Sequence, residues 1–264
     1  MKNVATKEQF KVDMNEMLIS VLKDKGTIAK CYSNFHNYSI VNQFLAYWQM
    51  KSRNIEISPI NSFGGWKKLK RSIKKGERAI YLWQPFEIPE KLDSKGNVVE
   101  DKKLIFKYLP RWFALSQTNS NDGSEFNAET FKIDNFNFDK VYKKYGIEII
   151  PFDDMNGNCQ GFAQVDGKKL AINPVAEHPE MTVLHEIAHI ALKHNEVDFG
   201  RDLKELEAET VAYIVGSILD FDDKLLSDSR GYVQNWFKGN VIPDANAKRI
   251  MSVANAMLKA GLGK

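Results

Sequence analysis

Residues 181–192 constrain this chain more than any other stretch. Val183, Leu184, Ile187, Ala188, Ile190 and Leu192 put apolar side chains on every side of a helical wheel, so a helix here must be buried nearly all round. Yet the same turns carry His185, Glu186 and His189, which are expensive to bury without a shared partner. Histidines four residues apart lie on one helix face, about one turn separated, so both imidazoles can reach a single ion. Neutral imidazole is a good ligand for Zn2+, and a hydrolytic site keeps one position open for water. Glu186, next to the first histidine, can take a proton from that water as it attacks a carbonyl. The His-Glu-x-x-His spacing therefore predicts a Zn2+ site of the peptidase type, with His185 and His189 as ligands and Glu186 as catalytic base.

Two histidines need a third protein ligand. The class that uses a third histidine would place it ten residues after His185, with a glycine three positions earlier. Those positions are Asn195 and Leu192, which excludes it. His194 misses the phase by one and is expected to serve as a cation at the helix C-terminus. The remaining solution is a carboxylate from the next helix, over 204–216. Glu205 and Glu209 share one face of it, and Ala208 permits close approach. Glu205 is assigned as metal ligand; Glu209 is expected to hydrogen-bond a ligating imidazole and is the alternative ligand. Glu207 points away from that edge and is expected in solvent.

Composition matters once the chain is divided. Residues 1–120 carry 21 Lys and Arg against 11 Asp and Glu, a net of +10, whereas residues 121–264 carry 16 against 23, a net of −7. Such asymmetry predicts two domains with different partners, the basic one suited to a polyanion. The excess centres on Lys67, Lys68, Lys70, Arg71, Lys74, Lys75 and Arg78, with Trp66 before them and Tyr81 and Trp83 after. Cations along a backbone and aromatic faces under bases are how single-stranded nucleic acid is commonly held. A short solvated helix with ordinary core aromatics explains the same composition equally well.

The expected fold is α+β in two domains. A small basic nucleic-acid-binding domain spans 1–117, a polar linker 118–128, and a zincin-like metallopeptidase domain 129–264. Helices are predicted over 7–24 and 39–50, and strands over 79–83, 104–108 and 111–115. After the linker come a helix at 139–145 ended by Gly146, a strand at 147–152, and a hairpin of 161–165 with 169–173 turning on Asp166-Gly167. The second hairpin strand is the candidate edge for binding an extended peptide. No stretch has the apolar length of a signal peptide or a membrane span, and Cys31 and Cys159 are too far apart to suggest a disulfide framework. A cytoplasmic protein with reduced thiols and no membrane partner is expected.

Several short motifs resemble one family. Phe35-x-x-Tyr38-Ser39-x-x-Asn42, Phe63-x-x-Trp66-x-x-Leu69, Lys74-Lys75-Gly76-Glu77, Pro85 and Phe113-x-x-Ser116-Gln117 look like the N-terminal domain of ArdC-type antirestriction proteins. His185-Glu186-x-x-His189 and Glu205-x-x-Ala208-Glu209-x-x-Ala212-Tyr213 resemble their metallopeptidase half, and Tyr232-x-x-x-Trp236 fits a subgroup. The resemblance implies a protein of a plasmid or phage. Its N-terminal domain would bind single-stranded DNA through Trp66, Lys74, Lys75 and Gly76, and its C-terminal half would have a zincin fold. Its role would be protecting incoming DNA from host restriction during conjugation or infection. Three functions follow as expectations: a DNA-binding zinc peptidase with an unidentified protein substrate; a DNA-coating protein whose metal site is structural or inactive; and a regulatory peptidase that cleaves a repressor.

Overall fold

The computed structural model describes residues 13–94, 98–127, 131, 133, 135–153, 159–238 and 240–264. In chain order the elements are α1 (Met14–Leu22), α2 (Thr27–Phe35), α3 (Ile40–Ser52), β1 (Ile60–Ser62), α4 (Phe63–Lys68), β2 (Arg71–Ile73), β3 (Ile80–Ile88), β4 (Lys91–Leu92), β5 (Val98–Glu100), β6 (Lys103–Ala114) and β7 (Thr118–Ser120). Then follow α5 (Phe138–Tyr145), β8 (Glu148–Ile149), β9 (Gly161–Gln164), β10 (Lys169–Ile172), α6 (Pro179–Ala191), α7 (Arg201–Ile218), α8 (Asp223–Phe237) and α9 (Asp244–Leu262). The described residues of 1–41 and 130–264 form one compact unit, and those of 42–129 the other. This division differs from the expected domains at 1–117 and 129–264, because α1 and α2 pack with α7, α8 and α9. The expected linker also begins inside structure, since β7 pairs with β2.

In the unit of 1–41 and 130–264, α7 is the axis. Leu206, Ala208, Val211, Ala212, Ile214 and Val215 are fully buried, and α2, α6, α8 and α9 all pack against it. Burying one such aliphatic side chain stabilises the fold by about 1.5–3 kcal/mol for Val, Leu or Ile. Gly216 lets α6 come close, for a Cβ there would lie 2.9 Å from the sulfur of Met181. α1 starts on Asp13, whose carboxylate accepts the Glu16 N–H at 2.9 Å, and buries Met14, Met17, Leu18 and Val21 along one stripe. α6 begins with Pro179, whose missing N–H has no partner to lose in a first turn.

A small sheet of order β8-β10-β9 lies beside α6. β10 runs antiparallel to β9, with Leu170 opposite Ala163, and parallel to β8. The second hairpin strand is therefore in the middle of the sheet and has no edge to offer; the first, β9, has one. The turn takes four residues rather than two, with Lys168 at φ 51°. Gly161 sits where β9 presses on α6, since a Cβ would meet Thr182 Cγ2 at 2.8 Å.

In the unit of 42–129, β6 is the central strand of β1-β6-β3. It is one strand where the sequence predicts two: Pro110 stands opposite Tyr81 beside a register shift that leaves Arg111 without an opposite number, a place where a strand tolerates proline. α3 covers the outer edge of β3 with two amides. Asn42 exchanges hydrogen bonds with the N–H and C=O of Trp83, both at 2.9 Å, and Gln49 does the same for Tyr81 at 3.0 and 2.8 Å. Among the described residues no helix is long and apolar enough to cross a membrane.

Candidate metal centre

α6 and α7 bring the charged residues of the buried layer to one point. Nε2 of His185 and Nε2 of His189 are 3.0 Å apart, and Glu205 Oε2 lies 3.3 Å from the first and 3.5 Å from the second. His185, His189 and Glu205 each offer one ligand atom to this cluster, all within 4.8 Å of one another. Glu209 stands on the other side of His185, its Oε2 2.7 Å from Nδ1. A carboxylate only accepts, so Nδ1 carries a hydrogen and Nε2 faces the cluster, where its lone pair is the one a cation would take. Glu209 also accepts from Ser229 of α8, which fixes it from behind.

The donor set fits a metal cation. Two imidazole nitrogens and a carboxylate oxygen this close repel one another unless positive charge lies among them, and these ligand types suit zinc and similar divalent ions. In the absence of a cation, protons supply that positive charge instead. Burial opposes charge on His185, but its bonds to Glu205 and Glu209 outweigh that and push its pKa up to about 10. The imidazoles of His185 and then His189 beside it hold Glu205 well below the usual carboxylate range. Glu186 is the exception among the carboxylates: burial raises it, and its side chain accepts the backbone N–H of Ala163 on β9. A cleft of about 480 Å³ opens here, lined by His185, Glu186, Glu209, Gly161, His178 and Asp228 among others.

Two sequence expectations are corrected. Glu207 is not in solvent but fully buried, because the face of α7 opposite Glu205 packs on α9. Its Oε1 accepts from Asn246 at 3.0 Å, and its Oε2 lies 3.0 Å from His194 Nε2 and 3.3 Å from Arg249. His194 is buried at 5% exposure and is no terminal cation: burial lowers its pKa, and its Nδ1 is 2.7 Å from Nδ1 of His189. The cation on the end of α6 is Arg249, which donates to the carbonyl of Leu192 at 2.6 Å. Helical phase alone hid this pair; Arg249 and Asn246 stand on a helix the sequence reading did not identify.

The predicted DNA-binding residues divide by burial. Trp66 is 1% exposed, donates its indole N–H to the Phe113 carbonyl at 2.8 Å and packs edge-on to Phe126, so its ring is no stacking surface. Its correction follows from α4, whose Ser62 cap turns Trp66 inward against β6. Lys70 pairs with Asp122, Arg71 bonds Thr118 Oγ1, and Lys74 donates to the Ser116 carbonyl. Lys67, Lys68, Lys75 and Arg78 are exposed, and the large apolar side chains beside them in solvent are Phe63, at 62% exposure, and Leu69, at 44%.

Comparison with known proteins agrees with the family expected from the motifs. The profile of the N-terminal domain of anti-restriction factor ArdC matches residues 16–113, a segment that starts within α1 and so includes helices of both compact units. No curated protein matches the sequence. The metal-free crystal structure of antirestriction ArdC protein from the R388 plasmid superposes with a TM-score of 0.50 at 15% identity, over 96% of this chain and 96% of that one. Its Mn(II)-bound structure gives 0.50 at 11% identity, over 95% and 98%. Residues 16–113 are thus similar to the ArdC N-terminal domain, and the chain as a whole shares the fold of the R388 ArdC structures.

Proposed function

We propose that this is an antirestriction-type protein of a mobile element. In this reading the unit of 42–129 binds single-stranded DNA in the cytoplasm, and the other unit is a zincin-like peptidase acting on an unidentified protein. The observation that carries the peptidase reading is the convergence of His185, His189 and Glu205, with Glu186 beside them at the cleft. His185, His189 and Glu205 would hold Zn2+, which supplies a polarised carbonyl and a water of lowered pKa. The protein's own groups do the rest. Glu186, raised by burial, takes the water's proton on its carboxylate and returns it to the leaving amine nitrogen. Glu209 keeps His185 turned toward the cluster. Of the two tyrosines that could donate to a developing oxyanion, Tyr213 is buried and bonded to Arg230 and Ser217. Tyr232 remains, half exposed on α8 and within the field of Glu205, Asp202 and Glu209. The edge of β9 is where an extended peptide would lie.

Glu186→Gln keeps the ligands and the fold while removing the base. Metal content should be unchanged and cleavage of a genuine substrate should fall by about 10²–10⁴. Equal cleavage by the variant removes the peptidase claim. Intact protection of DNA from restriction by the same variant identifies a DNA-coating protein. For the DNA unit, support comes from the ArdC-type N-terminal domain and the exposed cations around Phe63. The full chain titrated with labelled single- and double-stranded DNA at two salt concentrations should prefer the single strand and weaken with salt. Salt-independent or absent binding leaves the regulatory-peptidase reading.

A further inference from the structure

We propose that His194 and Glu207 are positioning residues that fix the tautomer of His189, so that it turns a bare Nε2 toward the metal. The proposal rests on the metal reading above and deepens it. Both ligand histidines need the hydrogen on Nδ1, but only His185 has a carboxylate there. His189 Nδ1 faces another imidazole nitrogen, His194 Nδ1, at 2.7 Å. Two such nitrogens at that distance share one hydrogen, and which of them carries it is not settled by the pair itself.

Glu207 settles it. The carboxylate is fully buried, accepts the Asn246 amide on one oxygen and has the Arg249 guanidinium 3.3 Å from the other, so it is set among donors and serves as the acceptor. His194 Nε2, 3.0 Å away, must then be the donor. A neutral His194 with its hydrogen on Nε2 has a lone pair on Nδ1. His189 Nδ1 therefore donates, and His189 Nε2 is left unprotonated, 3.0 Å from Nε2 of His185 and 3.5 Å from Glu205. The order Glu207, His194, His189 is thus a relay of orientation, spanning α7, the end of α6 and the cluster. Arg249 ties it to α9 and to the last turn of α6 at once.

The test compares two substitutions in the full chain. Asn at 194 places its amide oxygen near the position of the imidazole Nδ1, so His194→Asn keeps an acceptor for His189. His194→Leu keeps volume and removes the acceptor. Zinc is titrated against a chromophoric chelator, and metal-free ¹⁵N-histidine spectra report which nitrogen of His189 is protonated. The expected result is an Nδ1–H form of His189 in the unsubstituted protein, near-native zinc affinity for His194→Asn, and a loss of about 10–100-fold for His194→Leu. Equal affinity of the folded Leu variant, an Asn variant as weak as Leu, or an Nε2–H form of His189 in the unsubstituted protein each overturns the proposal. Should His194→Leu fail to fold, the spectrum of the unsubstituted protein and the Asn variant decide it. Absence of zinc binding by the unsubstituted chain overturns the metal reading itself, an outcome distinct from equal binding by both proteins.

Discussion

The metal cluster and the basic run handle charge in opposite ways. Around the buried parts of α6 and α7, charged groups have assigned neighbours: Glu209 takes His185, Glu207 takes His194, and Arg249 takes both Glu207 and the end of a helix. Between residues 63 and 78, Lys67, Lys68, Lys75 and Arg78 stand in water, and Trp66, which sequence places among them, has gone into the core. Burial is the difference. In a poorly solvated interior a charge without a partner is strongly penalised, so geometry there is unique. At the surface, cations are interchangeable and screened, and their chemistry is shared over a patch.

The comparison is broken most forcefully at Trp66. Trp66→Ala should lower unfolding free energy by about 3–5 kcal/mol, since it empties a core position and frees the Phe113 carbonyl; a denaturant titration measures it. A stable variant with lost DNA binding would instead return Trp66 to the surface. Next comes Glu207→Ala, which strands His194 and the partly exposed Arg249; a loss of about 3 kcal/mol is expected from the same titration, against little change for Glu196→Ala, whose partner Lys193 is in solvent. Phe63→Ala should leave stability within about 0.5 kcal/mol, because the ring is exposed, yet weaken single-stranded DNA binding by about 1–3 kcal/mol in a fluorescence titration. The smallest effect is chemical. Burial pushes the Cys31 thiol well up, whereas Cys159 is half-buried, so mass spectrometry after brief alkylation of the native protein should find label on Cys159 and not on Cys31.

The same contrast explains what sequence could and could not say. His185, Glu186, His189, Glu205 and Glu209 lie on two helices whose phase is readable from residue spacing, whereas Ala163 of β9, Ser229 of α8 and His194 beyond α6 join them from outside. His194 and Glu207 escaped because phase says which way a residue points and not what stands there. For Glu207 the answer was α9, more than two dozen residues further on. Trp66 escaped for a related reason: composition groups it with its basic neighbours, while the Ser62 cap and the carbonyl of Phe113 turn it away from them. The helices α2, α8 and α9 were legible by the same rule, for Ala247, Ile250, Met251, Ala254, Met257 and Leu258 of α9 keep helical spacing, but no chemical motif marks them.

The two units also differ in how far apart along the chain their parts are made. Residues 42–129 are contiguous and can assemble as soon as they are synthesised. The other unit cannot. Asn15 waits for the N–H of Ile242, Lys25 for Asp223, and the carbonyls of Leu22 and Lys23 for the amide of Gln234. α1 and α2 are the first described helices to leave the ribosome, yet their neighbours α7, α8 and α9 are among the last. An expression fragment begun at residue 129 would therefore reach its end with those three helices lacking two of their packing partners, and their apolar faces would be exposed to whatever else is in solution.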